Sequence, residues 1–276
     1  MQSIYFSIFN CIISVNTESS VLFSILEKIY GAMAIAEVDR QPDLEYSVYE
    51  NKPALNQMSI TRSGMHDLVT SDIGEFIFFF EKDMTIELQK IRSDLLFIHS
   101  AALDYKGKGI LLVAPSGTGK STTTWAMVNS GFKYLSDELA PIDLNLMLIE
   151  PYPHAINLKA IPPVFDLPST SLYTSQTIHV PCKEYTNNVS ENNVELKAIF
   201  FLEFGPDIIG PEISIMSKAA ASASLYANSL NILAHNNQDE GLQVAIKLAS
   251  QVKAFKLVSN QLDKTCNEIK VLLKSI

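Results

Sequence analysis

The residues best suited to chemistry lie in the run Leu-Leu-Val-Ala-Pro-Ser-Gly-Thr-Gly-Lys-Ser-Thr, positions 111 to 122. An apolar stretch enters a loop of small residues, a Lys-Ser pair closes the loop, and a helix-forming stretch follows. That order lets a backbone wrap around phosphate. Gly117 and Gly119 can take the positive φ values that turn successive N–H groups inward. The start of the following helix adds more N–H groups and partial positive charge. Lys120 would reach the β- and γ-phosphates, and the Ser121 hydroxyl can ligate Mg2+. Pro115, Ser116, Thr118 and Thr122 complete the residues expected against a nucleotide. The string follows G-x-x-x-x-G-K-[ST] except at its first position, where Ala114 replaces glycine and requires an ordinary φ. An accidental turn rich in Gly and Ser is the alternative, and the strand-loop-helix order argues against it. ATP or another nucleoside triphosphate is the natural ligand, with Mg2+ as its metal.

Two acids, Asp137 and Glu138, follow the short strand-like segment FKYLS. Acids at the carboxyl end of a strand in an open parallel sheet face the ligand crevice. One can bind Mg2+ and the other can accept a proton from an attacking hydroxyl. A solvated loop pair is the plain alternative. Glu203, closing KAIFFLE, is a weaker candidate for the metal side, because a buried strand must end somewhere. His99 sits within LLFIHSAAL, where a histidine is often a hydrogen-bonded core residue.

Several classes of phosphate-binding protein lack their marks here. There is no LSGGQ-like signature and no NKxD-like guanine motif. Arginine occurs only as Arg40, Arg62 and Arg92, so lids and fingers built on arginine are absent after the loop. What remains is an unusual P-loop kinase, with a small-molecule kinase, or an enzyme like phosphoenolpyruvate carboxykinase, and a non-catalytic ATP-binding regulator as rivals.

The combination of FIHSAAL, APSGTGKST and YLSDELAPI resembles the HPr kinase/phosphorylase family. It is most similar to the smaller HPr-kinase-like serine kinases found with peptide-modification gene clusters, including lasso peptide tailoring kinases. The spacing agrees, with 15 positions from His99 to Ala114 and 23 from there to Asp137. The resemblance implies that Asp137 accepts the proton of the target serine, that Glu138 helps hold the metal, and that His99 supports the catalytic acid. It also implies a peptide or small protein, such as a ribosomal peptide precursor, as phosphate acceptor. Ala114 and the missing downstream Gly- and Arg-containing segment depart from the bifunctional enzymes and weigh against phosphorylase activity. The similarity spans about residues 95 to 210. Positive charge beyond Lys120 would have to come from lysine, from the three early arginines, or from a second subunit of a homo-oligomer. The segment PYPHAINLK, residues 151 to 159, is a candidate acceptor-side loop in which His154 and Lys159 could meet a phosphate or carboxylate. A connector stiffened by proline is the alternative.

These residues need a scaffold. The pattern divides the chain into an N-terminal α+β domain, 1–93, and an α/β P-loop domain, 94–276, with strands alternating with helices, which the resemblance implies is of the HPr kinase type. In the first, IYFSIFNCIISV and YSVYE read as strands and SSVLFSILEKIYGAM as a helix started by Ser19 or Ser20. GEFIFFFEK reads as a strand, with a helix from about Lys82 to Ser93. In the second, LLFIHSAALDY, GILLVA, FKYLS and KAIFFLEF read as strands. Lys120–Ser130, SKAAASASLYANSLNILA, the segment around GLQVAIKLASQV and CNEIKVLLKSI read as helices.

Composition bounds the rest. At 47% hydrophobic and 18% charged, the 276 residues suit a sizeable folded core. A net charge of -9 makes nucleic acid a poor partner, since Lys and Arg must displace its counterions. Cys11, Cys182 and Cys266 are far apart and form no metal-ligand spacing, as expected of idle thiols in a reducing cytoplasm. The apolar N-terminus lacks a basic leader and is too short to span a bilayer, so no signal peptide and no membrane partner are expected.

Overall fold

The computed structural model describes all residues except 37, 53–56 and 232–237, and side chains are described except also at 52, 186 and 238–240. The fold is mixed α/β, with three sheets and six α-helices among the described residues. The chain forms two compact units. One contains Met1–Arg92 together with His154–Ile161 and Leu167–Thr186; the other contains Ser93–Pro153, Pro162–Asp166 and Asn187–Ile276. Residues 154–161 and 167–186 thus group with the N-terminal part, whereas the sequence reading placed them with everything after residue 93.

The first unit opens with β1 (Gln2–Ile8), β2 (Cys11–Thr17), α1 (Ser20–Tyr30), β3 (Ala34–Ile35), β4 (Leu44–Lys52), β5 (Gln57–Arg62), β6 (Leu68–Thr70) and α2 (Ile73–Ile91). Its six strands form one sheet in the order β3-β1-β2-β4-β5-β6. Ser19 caps α1 by accepting the Leu22 N–H. The stretch GEFIFFFEK, expected as a strand, is instead the start of the single helix α2. Its aromatic residues favour strands in isolation, but Phe76, Ile77, Phe80, Met84 and Leu88 recur at helical spacing and are buried on one face. Asp72 fixes the start by accepting the Glu75 N–H.

The second unit begins with β7 (Leu95–Ile98), β8 (Ala101–Tyr105), β9 (Lys108–Val113), α3 (Lys120–Asn129), β10 (Lys133–Ser136), β11 (Ala140–Asp143) and β12 (Leu148–Ile149). The chain then supplies β13 (Ile156–Leu158), β14 (Leu172–Tyr173) and β15 (Ile178–Val180), a three-stranded sheet of the first unit. It completes the second unit with β16 (Val194–Phe204), β17 (Glu212–Ile215), α4 (Lys218–Asn228), α5 (Gln238–Gln251), β18 (Lys253–Ser259) and α6 (Leu262–Lys274). Of the expected helix SKAAASASLYANSLNILA, the last three residues lie outside the described residues.

The nine-stranded sheet of this unit runs β10-β8-β9-β16-β12-β11-β7, with β18 also paired to β16 and β17 to β18. The apolar run of β16 lies at its centre, parallel to both β9 and β18. Buried strands with side chains covered on both faces read as continuous hydrophobic runs, and KAIFFL is one. Gly109 allows β9 to approach β16 closely: a Cβ there would meet Glu195 O at 2.9 Å and Ile149 Cδ1 at 2.8 Å. No described helix is long and apolar enough to cross a membrane.

Candidate functional site

The strand directions bring the predicted residues to one edge of the sheet. β8 is antiparallel to both β9 and β10, so the start of β8 lies beside the ends of the other two. Ala101 pairs with Leu112 near the exit of β9, and Ala102 with Ser136 at the exit of β10. His99 precedes that point in β8, the glycine loop follows β9, and Asp137 follows β10. The continuous strand expected over LLFIHSAALDY is therefore broken at His99–Ser100. β7 pairs with β11, while β8 pairs with β9 and β10, and His99 sits at the changeover.

The loop has the backbone its sequence demands. Gly117 and Gly119 have φ of 88° and 95°. Both values lie in the region where a side chain is strained. Ala114, at the first position of the pattern, is buried and lies outside the positive-φ residues. Pro115, Ser116 and Gly117 are exposed, and Thr118, Ser121 and Thr122 are half-buried. Ser19, Asp72 and Ser217 close α1, α2 and α4 with a side-chain oxygen, whereas α3 starts from Gly119 with no capping side chain. The first-turn N–H groups of α3 are thus not taken by a cap at the point where an anion would bind.

Lys120 points from the first turn of α3 into the acid pair. Its ammonium group donates to the Asp137 carbonyl and lies 3.3 Å from Glu138 Oε2 and 3.9 Å from Asp137 Oδ1. The Asp137 side chain is fully buried, while that of Glu138 is 39% exposed. His99 Nε2 meets the same Glu138 oxygen at 2.9 Å. The β7–β11 register accounts for this contact. Ile98 pairs with Ala140 at the end of the ladder, with His99 just after β7 and Glu138 just before β11. The sequence reading placed the histidine in support of Asp137; its imidazole is hydrogen-bonded to the next acid along. The strand register is the signal for that partner, and it is not visible in the residues alone.

The donor set suits Mg2+. Two carboxylates and the Ser121 hydroxyl are hard oxygen donors, the kind this cation takes together with phosphate and water. Among the described residues no group of three His, Cys, Asp or Glu could hold a metal by itself. Glu203, one residue before the end of β16, lies in an exposed ion pair with Lys256 of β18, 2.8 Å away.

The PYPHAINLK segment gives a different result. His154 is fully buried, with Nε2 3.5 Å from Glu81 Oε1, so it is an interior group of the first unit rather than a surface ligand for an acceptor. Lys159 is exposed on the same unit. Cys11, Cys182 and Cys266 are buried and unbridged.

No protein-family model matches the sequence, and no curated protein matches it. Among solved structures, the chain is similar to the Hpr(Ser) kinase/phosphatase from Coxiella burnetii, with 15% identity and a TM-score of 0.32, over 65% of this chain and 99% of that one. A likeness this slight carries neither fold nor activity from that protein to this chain.

Proposed function

We propose that this chain is an ATP-dependent phosphotransferase, a serine kinase of the HPr-kinase-like type that passes the γ-phosphate to a hydroxyl of a peptide or small protein. The supporting observation is the convergence of Lys120, Asp137, Glu138 and His99 beside an uncapped glycine loop. When bound, ATP would supply the phosphoryl group and leave as ADP, and Mg2+ would offset the negative charge of the phosphates. The loop amides and Lys120 hold the phosphates and the charge that develops during transfer. Ser121 and one acid would hold the metal, and the other acid would accept the proton of the acceptor hydroxyl.

The resemblance assigns the proton to Asp137 and the metal to Glu138. One observation favours exchanging these roles: Asp137 is fully buried beside Lys120, whereas Glu138 is open to solvent and bonded to His99. Paired variants separate the two readings. The purified protein is incubated with labelled ATP, Mg2+ and the peptides encoded beside its gene, and the products are read by mass spectrometry. Losing the general base should lower transfer by about 10²- to 10⁴-fold with ATP binding retained. Losing the metal-side acid should raise the Mg2+ requirement. Asp137→Asn and Glu138→Gln should each show one pattern, and which shows which assigns the roles. Full transfer by both variants would defeat the proposal. Tight ATP binding by the wild type without any labelled hydroxyl would favour a regulator, and labelling confined to small metabolites would favour a small-molecule kinase.

A further inference from the structure

We infer that Asn231 is a positioning residue for His99. The inference rests on the proposed role of His99, but its structural content can be tested without activity. β7, which ends one residue before His99, is the outermost strand of its sheet. One edge pairs with β11, and the other would be open. The segment from Asn228, the last residue of α4, to Asn231 covers that other edge. Asn231 Nδ2 donates to Leu95 O at 2.8 Å, and Asn231 Oδ1 accepts from Phe97 N at 3.1 Å. Leu230 N donates to Phe97 O, and His99 N donates to Asn228 O, both at 2.8 Å. Ser229 forms a bridge with Ile98.

The Asn231 side chain therefore acts as a peptide group set into a strand edge. It offers a donor and an acceptor at the spacing of residues i and i+2, and only one orientation of its amide satisfies both. Asn231 is 2% exposed, so water cannot take over either bond. The series of bonds starts at Leu95 and ends on the backbone of His99. The other side of the histidine is fixed by Glu138. Aspartate at position 231 would keep the acceptor and lose the donor. Leucine would keep the approximate size and lose both.

The test uses the full chain. In the wild type, hydrogen exchange should show the amides of Phe97 and His99 protected together, as members of one bonded edge. Imidazole NMR at fixed pH should resolve the five histidines, with His99 identified by its loss in His99→Gln. Asn231→Leu should shift the His99 signal towards that seen in Glu138→Gln and leave those of His66, His154 and His179 in place. Asn231→Asp should give a smaller shift in the same direction. With an acceptor in hand, Asn231→Leu should lower kcat by up to about 10²-fold, the cost of a misplaced catalytic group, with KM for ATP unchanged. An unmoved His99 signal in folded Asn231→Leu would overturn the inference. So would rapid exchange of the His99 amide in the wild type, which decides the matter even where the leucine variant fails to fold. A wild type without phosphotransfer would remove the function and leave both structural readouts standing.

Discussion

Lys120→Ala should destabilise the acid pair before any nucleotide is added. The lysine side chain is 6% exposed, and Asp137 beside it is fully buried. Truncation removes the cation from a carboxylate that water cannot reach. Breaking a buried pair from one side costs roughly 3–5 kcal/mol. The 3.9 Å separation from Asp137 and the openness of Glu138 set the expectation at the lower end, about 3 kcal/mol. Trp125 is the only tryptophan and lies buried in α3, the helix that carries Lys120, so its fluorescence during urea unfolding reports on this unit. Adding Asp137→Asn removes the buried charge that Lys120 faces, and the double variant should recover about 1–2 kcal/mol relative to simple addition. ATP at about a hundred times its Kd should stabilise the wild type by about 2.7 kcal/mol and leave Lys120→Ala unmoved. A loss below about 1 kcal/mol, or strict additivity in the double variant, would refute the electrostatic coupling drawn here. Equal stabilisation by ATP in both proteins would remove Lys120 from nucleotide binding.

Acid should weaken the first unit through His179. Burial, with a further contribution from His154, pushes its imidazole down to about 4, and its Nδ1 is paired with Asn157 Oδ1 at 2.7 Å. The unfolded chain takes up this proton first, so the stabilisation is complete above the ordinary value of 6.5 and is lost as pH falls from there to about 4. The loss should reach about 3 kcal/mol, and His179→Gln should flatten that part of the urea-midpoint profile; an unchanged slope would count against the assignment. Gly109→Ala forces a methyl group against Glu195 O and Ile149 Cδ1. It should cost about 1–3 kcal/mol, seen as a lowered Tm, and a wild-type melt would show that β9 and β16 can part without strain.

The glycine loop was legible in the sequence because its chemistry dictates residue types. Gly117 and Gly119 take φ values that other residues avoid, and Lys120 must stand at the first turn of a helix. The strands β9, β10 and β16 were legible because each is a short apolar run with marked ends. Nonlocal pairing was not. Whether His99 meets Asp137 or Glu138 depends on the β7–β11 register, a relation between residues about forty places apart. The cover over β7 consists mostly of backbone contacts, and Asn231 among the described residues joins it through its side chain. In α2 the local preference of the aromatic residues pointed the wrong way, and burial of one helical face decided the outcome.

The division of the chain has a consequence for biosynthesis. The path changes unit at 92/93, 153/154, 161/162, 166/167 and 186/187. The first unit therefore stays incomplete while a long stretch of the second is being made. At roughly 5–20 residues per second, residues 1–92 wait on the order of 5–20 s for their last strands. During that interval Ile29 of α1 and Glu81 of α2 lack the Ala155 N–H and the His154 side chain that the later segment supplies. The nascent chain thus carries an incomplete first unit past the ribosome exit, a stage at which a holding chaperone would have most to do. A fragment cut at residue 93 would remain in that state permanently.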